Sequence, residues 1–286
     1  MFRGGVSYVR VDAQVVEGRR LVADLSEKDF LVLDEGSAQP ILYFGRESEP
    51  LWVALLLDIS GSMRRRLQEM AAAARQALGL LRAEDHVALI LFSKNARVDL
   101  QFTTDRAAAA AAIADAHNET ELGSGTAINA AALEAAGYVG KQLAGQAGRR
   151  AIVILTDNEG LNYQVADEQV LGGLYQADAV LNAIVPGGVR PPATPRPGVE
   201  VNPDFTPSDV FRLARETGGE VLKAENAGAS FREMMERIRT RYSLHYRAPQ
   251  AEPGSRRRIR VELTAQARRR HPRAEVRART AYQVPR

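Results

Sequence analysis

The uninterrupted apolar run from Leu51 to Leu57, closed by Asp58, constrains this chain more than any other segment. A strand with one wet face alternates apolar and polar residues, so a run without alternation must be covered on both faces. The segment that follows carries Met63, Leu67, Met70, Ala71, Ala74, Leu78 and Leu81 at steps of three and four, which predicts a helix with one apolar face. Leu51–Leu81 is therefore a strand-loop-helix unit.

The unit recurs. His86–Phe92 reads as a strand, Val98–Phe102 as an antiparallel edge partner, and Arg106–Ala116 as a helix on propensity. Thr126–Leu143 is helical, Ala151–Leu155 a second buried strand, Gln164–Gln176 a helix and Ala179–Val185 a strand. Such alternation predicts an α/β fold: a doubly wound, mostly parallel, Rossmann-like sheet with helices on both faces. The Pro- and Gly-rich stretch Pro186–Pro203 reads as a surface loop. Thr206-Pro207-Ser208-Asp209 then starts a helix with Pro in its first position, and Gly218-Gly219 ends it. Val221-Leu222 is a short strand. Ser230 and Glu233 form a capping box for a last helix with the stripe Phe231, Met234, Met235, Ile238 and Tyr242, read as core packing.

Both ends change period. Val9–Phe44 predicts three or four short strands with turns at Glu17-Gly18 and Asp34-Glu35-Gly36. After His245, Ile259, Val261 and Leu263 alternate with Arg258, Arg260 and Glu262, and Val276 and Ala278 with Arg277 and Arg279. Neither β segment can bury a core alone. The expected organisation is one small discontinuous β domain from residues 1–49 and 246–286, with an α/β domain at 50–245 inserted between them.

The 286 residues suffice for one α/β core and a smaller unit. No apolar run approaches the roughly 18 residues a membrane helix needs, and no signal peptide is visible at the start. With no cysteine, thiolate chemistry, zinc-cysteine sites and disulfides are excluded. The net charge of +3 hides an asymmetry, because Ser255–Arg286 carries eleven Arg against Glu262 and Glu275, a local +9. These arginines alternate with apolar residues and only Tyr282 is aromatic, so a solvated strand face is the preferred reading over nucleic acid or an acidic surface.

Asp58-Ile59-Ser60-Gly61-Ser62 falls where the first buried strand gives way to its helix, the edge at which open α/β sheets bind ligands. Alternate residues of a tight loop can turn three oxygen side chains to one point, as hard divalent cations require. Thr126 opens a helix after Gly123-Ser124-Gly125, and Asp157 ends the strand Ala151–Leu155, both at the same edge. Together, Asp58, Ser60, Ser62, Thr126 and Asp157 resemble the metal-ion-dependent adhesion site of the von Willebrand factor A family, over about residues 50–245.

The flanks, from Asp24-Leu25-Ser26-Glu27-Lys28-Asp29-Phe30 to Val276–Tyr282, resemble bacterial von Willebrand A-related proteins abundant in Acidobacteria. Asn158 departs from the pattern, since relatives usually carry Gly after the Asp. The resemblance implies a magnesium ion, with manganese or calcium as substitutes. Ser60 and Ser62 are implied as direct ligands, Thr126 as a ligand directly or through water, and Asp58 and Asp157 as ligands directly or through ordered water. It further implies a non-enzymatic adhesion module in which the ion accepts an Asp or Glu carboxylate of a protein partner, and an extracytoplasmic location.

The alternatives are a metal-dependent hydrolase or phosphoryl-transfer enzyme using the same ion, and a docking subunit of a larger complex. An enzyme needs a positioned base or second metal, and Glu119, Glu121 and Glu159 lie in the right loops without an assigned part. Gly-x-Ser-x-Gly is absent around Ser62. The four His, at 86, 117, 245 and 271, lack metal-ligand spacing. Arg64, Arg65 and Arg66 follow the metal loop where positive charge opposes the helix dipole, which suggests steering of an acidic ligand, with a solvated face as the plain alternative.

Overall fold

The computed structural model of the chain describes residues 8–46, 49–162, 165–193 and 206–284. The N-terminal part forms β1 (Tyr8–Glu17), β2 (Arg20–Leu21), β3 (Phe30–Asp34), β4 (Ser37–Gln39) and β5 (Tyr43–Arg46). The middle runs β6 (Leu51–Asp58), α1 (Arg64–Leu78), β7 (His86–Phe92), β8 (Ala96–Thr103), α2 (Arg106–Asp115), α3 (Ile128–Gln142), β9 (Arg149–Leu155) and α4 (Asp167–Gln176). It continues through β10 (Ala179–Pro186), α5 (Val210–Thr217), β11 (Val221–Ala224) and α6 (Ala227–Arg239). The end contributes β12 (Tyr242–Arg247), β13 (Arg256–Leu263), α7 (Ala265–Arg270), β14 (Glu275–Arg277) and β15 (Ala281–Gln283).

The central sheet has the order β11-β10-β9-β6-β7-β8, parallel except for the antiparallel β7–β8 pair. The apolar run sits in its middle. Leu51, Val53, Leu55 and Leu57 pack on one face with Met63, Leu67 and Met70 of the first helical unit and Phe231, Met234, Met235 and Ile238 of α6. Ala54 and Leu56 pack on the other face with residues of α3, α4 and α5. This is the doubly wound arrangement expected from the alternation. Because β6 is flanked by β7 on one side and β9 on the other, the chain reverses its winding at β6, and the crevice at that reversal opens at the carboxyl ends of β6 and β9.

The two chain ends meet in two further sheets, β14-β1-β12-β5 with β2 beside β1, and β15-β13-β3-β4. Val11 opposes Leu244 across β1 and β12, and Val32 opposes Val261 across β3 and β13. Their inner faces share one core of Val9, Val11, Phe30, Tyr242, Tyr246 and Ile259 with their neighbours. The N-terminal part holds five strands, one more than the upper expectation, because the two-residue β2 closes the Gly18 turn.

Several boundaries differ from the sequence expectation. The last helix starts a turn early, at Asn226, whose Oδ1 accepts Ala229 N–H at 2.9 Å. Ser230 is thus a buried residue inside α6, and Glu233 pairs with Arg237 at 2.9 Å instead of closing a capping box. Tyr242 leaves the helical stripe and opens β12, which spans the junction expected at residue 245. Asp209 caps α5, which starts at Val210, so Pro207 lies before the helix and not in its first position, and bridges to Leu161. Helix α4 begins at Asp167; Gln164 and residues 194–203 of the Pro-rich loop lie outside the described residues. Helix α7, capped by Thr264, interrupts the expected C-terminal β pattern.

The basic C-terminal segment keeps Arg256, Arg258 and Arg260 on the exposed face of β13, yet six of its arginines also meet acids elsewhere in the chain. Arg257 pairs with Asp34 at 2.6 Å, Arg258 with Glu35 at 3.3 Å and Arg256 with Glu168 at 2.9 Å. Arg270 pairs with Asp29, Arg277 with Glu220 and Arg279 with Asp178. The local +9 and the acidity elsewhere are complementary parts of one molecule. Three of those acids lie in the N-terminal segment and three in the α/β region, so the pairs link the C-terminal segment to both.

Candidate metal centre

Asp58 is the last residue of β6 and is fully buried. Its Oδ1 accepts the Ser60 backbone N–H at 3.0 Å and its Oδ2 accepts the Thr156 hydroxyl at 2.7 Å. Burial pushes the Asp58 carboxyl up to about 6; the bonds from Thr156 and Ser60 oppose the rise and the Asp157 carboxylate adds to it. A buried carboxylate beside a second one is a place where a cation is favoured.

Ser60 precedes the 3-10 turn Gly61–Met63, closed by Met63 N–H to the Ser60 carbonyl at 3.0 Å and anchored in the core by the fully buried Met63. The turn brings the Ser60 and Ser62 hydroxyls to 3.2 Å of each other, and Ser62 donates to Asp157 Oδ2 at 2.5 Å. Asp157, just past β9, accepts Glu159 N–H on its other oxygen at 3.1 Å. Four of the five residues singled out in the sequence are thereby linked through hydrogen bonds across the β6–β9 crevice.

Thr126 shares with Ser60 the wall of a cleft of about 290 Å³, lined also by Ile59, Arg64, Ser93 and Glu119. Thr126 does not open a helix as expected, since α3 begins two residues later and Thr126 stays in the loop. Ser93, beyond the end of β7, straps that loop: its hydroxyl lies 2.8 Å from the carbonyls of both Gly123 and Gly125, and its carbonyl accepts Ala127 N–H at 2.8 Å. On the other side, Gly160 lies so close that a Cβ there would stand 2.6 Å from the Thr126 carbonyl.

The donor set fits a hard divalent cation. It offers two carboxylates and three hydroxyls, with no nitrogen or sulfur donor. Neighbouring oxygens of an octahedral magnesium shell, at about 2.1 Å from the ion, lie roughly 3 Å apart. The Ser60–Ser62 and Ser62–Asp157 separations of 3.2 and 2.5 Å bracket that spacing. Among the described residues no three His, Cys, Asp or Glu side chains gather as metal ligands, so the candidate centre depends on its hydroxyls.

Sequence reasoning missed the supports of this centre. Thr156 orients Asp58 and also accepts Asn158 N–H at 3.1 Å, yet its only signal was a hydroxyl between a buried strand and Asp157. Asn158 has φ 60°, a left-handed conformation that Gly adopts freely and Asn tolerates better than most residues, which accounts for Asn at this position. Its Oδ1 accepts Val210 N–H at 3.2 Å and so ties the loop after Asp157 to the start of α5.

The three arginines separate. Arg64 faces the cleft and donates to the His117 carbonyl at 2.8 Å, Arg65 lies out along the helix 3.4 Å from Glu69, and Arg66 is half-buried. Glu119 accepts Glu121 N–H and is paired with Arg97, contacts that hold its carboxyl below the usual range; Glu121 and Glu159 are exposed. The histidines are apart, His86 stacked on Trp52 and His117 bonded to the Ala114 carbonyl at 2.6 Å.

Residues 53–160, which include all five candidate ligands, match the family model of the von Willebrand factor type A domain. The BatB protein of Bacteroides thetaiotaomicron shares the fold, with a TM-score of 0.50 and 19% identity over 66% of this chain and 97% of that one. An aerotolerance-related membrane protein from Bacteroides fragilis NCTC 9343 follows with a TM-score of 0.49 and 20% identity, covering 66% of this chain and 98% of its own. A von Willebrand factor type A protein from Catenulispora acidiphila has a TM-score of 0.48 and 15% identity, over 99% of this chain and 74% of that one. No curated protein matches the chain.

Proposed function

We propose that this chain is a metal-ion-dependent, non-enzymatic protein-binding module, a reading supported by the match of residues 53–160 to the von Willebrand factor type A domain, a module that often mediates protein interaction. Asp58, Ser60, Ser62, Thr126 and Asp157 would hold one divalent ion, magnesium before manganese or calcium. The observation that carries this reading is the hydrogen-bonded series of oxygens from Asp58 through Ser60 and Ser62 to Asp157 at the winding reversal of the sheet. When bound, the ion supplies a Lewis-acidic position for an outside oxygen. Three of the five side chains are neutral hydroxyls, which favours a partner that brings an Asp or Glu carboxylate and thus both a ligand atom and charge.

The chain's own groups do the positioning. Thr156 and the Ser60 N–H fix the Asp58 carboxylate, Glu159 N–H fixes that of Asp157, and Ser93 fixes the loop that carries Thr126. The division into a β unit from residues 1–49 and 246–286 around an inserted 50–245 belongs to the same proposal; the β1–β12 and β3–β13 pairings support it and draw the second junction back toward Tyr242. An extracytoplasmic location is proposed from the resemblance of the flanks, and among the described residues no helix is long and apolar enough to cross a membrane.

Calorimetric titration with magnesium and manganese tests the reading. One ion should bind per chain, and Asp58→Ala should abolish it. No saturable binding up to about 10 mM, a decade beyond the weakest sites of comparable oxygen donors, overturns it.

A further inference from the structure

We propose that Arg64 is a second anchor for the acidic ligand, so that the cleft selects a partner carrying two neighbouring carboxylates, one for the metal position and one for this guanidinium. The inference rests on the metal-site reading above. Arg64 opens α1 directly after Ser62-Met63, and it lines the same cleft as Ser60 and Thr126. Its Nη1 donates to the His117 carbonyl at 2.8 Å, which holds the head at the rim while the other N–H groups stay available.

No carboxylate among the described residues pairs with Arg64. Its neighbour Arg65 has Glu69, and Glu119 on the same cleft is committed to Arg97. The charge is thus held at the mouth of the site without an internal counter-ion, in a molecule that otherwise pairs many of its arginines.

Charge balance then sets the ligand class. Asp58 and Asp157 offset the charge of a divalent ion, and Arg64 adds a positive charge with no carboxylate partner to the wall that Ser60 and Thr126 share. A single carboxylate on the ion leaves the guanidinium unmatched; an adjacent second one meets it, and the fork of an Arg suits a planar carboxylate. The cleft, at about 290 Å³, exceeds what one carboxylate head needs. Arg64 should also repel the free ion while attracting the acid, so its removal acts on the two equilibria with opposite signs. Metal and diacid should strengthen each other's binding reciprocally.

The test uses the full chain and R64Q. Magnesium is titrated into each, followed by the capped peptides Gly-Glu-Gly and Gly-Glu-Glu-Gly in saturating magnesium. The unmodified chain should bind the doubly acidic peptide about five- to tenfold more tightly, and R64Q should narrow that gap to about twofold or less. R64Q should bind magnesium alone as tightly or up to about threefold more tightly, which also reports that it folds. Equal affinity for the two peptides, the same gap in R64Q, or no binding of either peptide overturns the inference and leaves the metal site standing. Failure of magnesium to bind the unmodified chain removes the metal reading, and this inference with it.

Discussion

Thr156 donates its hydroxyl to Asp58 Oδ2 at 2.7 Å, bridging the carboxyl ends of the adjacent strands β9 and β6. Both residues are fully buried, so the bond has no water to replace it. Thr156→Val should cost about 1–3 kcal/mol, the penalty for stranding a buried polar group, and should weaken magnesium binding by roughly tenfold because Asp58 loses its orientation. Thr156→Ser should restore most of both. Urea unfolding with and without magnesium reads the two effects separately.

Asp58→Asn separates stability from function. The Asn oxygen can keep the Ser60 N–H, and its amide can donate to the Thr156 hydroxyl, so the buried hydrogen bonds survive while the buried charge disappears. At pH 7 the metal-free variant should melt at or above the temperature of the unmodified protein. Magnesium should raise the melting temperature of the unmodified chain and leave that of the variant unchanged. A metal response retained by the variant would argue against Asp58 as a ligand.

Asn158 combines a left-handed backbone with a cap on α5. Asn158→Gly keeps the conformation and loses the acceptor for Val210 N–H, so it should cost about 1 kcal/mol. Asn158→Ala loses both and should cost about 1–2 kcal/mol more. Denaturant midpoints in that order check the account, whereas equal losses would assign the whole effect to the cap.

Gly160 guards the Thr126 loop by proximity. A methyl group there meets the Thr126 carbonyl at 2.6 Å and Ile128 side-chain atoms at about 3 Å, and backbone can yield only by moving the loop. Gly160→Ala should therefore lower magnesium affinity by about tenfold or more while leaving the central sheet intact by circular dichroism. Unchanged affinity would place Thr126 outside the metal's reach.

Acid should loosen the contact between the β layers and the central sheet. Burial by itself would raise the Asp12 carboxyl, but Arg10, Arg149 and the Ser243 hydroxyl outweigh it and hold Asp12 at about 2. Its folded value lies below its unfolded one, so the stabilisation is complete above about pH 4 and disappears as pH falls to about 2, a loss of about 2–3 kcal/mol from this group. Asp12→Asn should be less stable than the unmodified protein at pH 7, with the difference shrinking toward pH 2. Urea unfolding across that range checks it, and a pH-independent difference would contradict the assignment.

Much of the site is legible in the sequence. Asp58 and Asp157 stand at the ends of apolar runs, and Ser60 and Ser62 alternate beyond one of them, so a linear pattern placed them at one sheet edge. Thr126 was found by its Gly-rich approach, although the helix starts two residues later. The parts that hold them were not legible. Thr156 reads as an ordinary strand-end residue until β6 and β9 are neighbours, and Asn158 reads as a departure until its φ and the position of α5 are known. Ser230 and Glu233 formed a plausible cap, but Asn226 caps a turn earlier, where Ala227 enters the core.

The amino-acid order alone determined the alternation of buried strands and one-sided helices, the switch to period two at both ends, and the oxygen-rich loop after Leu57. These are properties of short stretches, set by which side chains water excludes and by the periods of helix and strand. Only the folded chain decided that Arg257 would reach Asp34 and Arg270 would reach Asp29, across separations of 223 and 241 residues, or that Ser62 would touch Asp157 across 95. Such meetings follow from how the sheets close and pack, and many acids in the sequence could have served each arginine equally well.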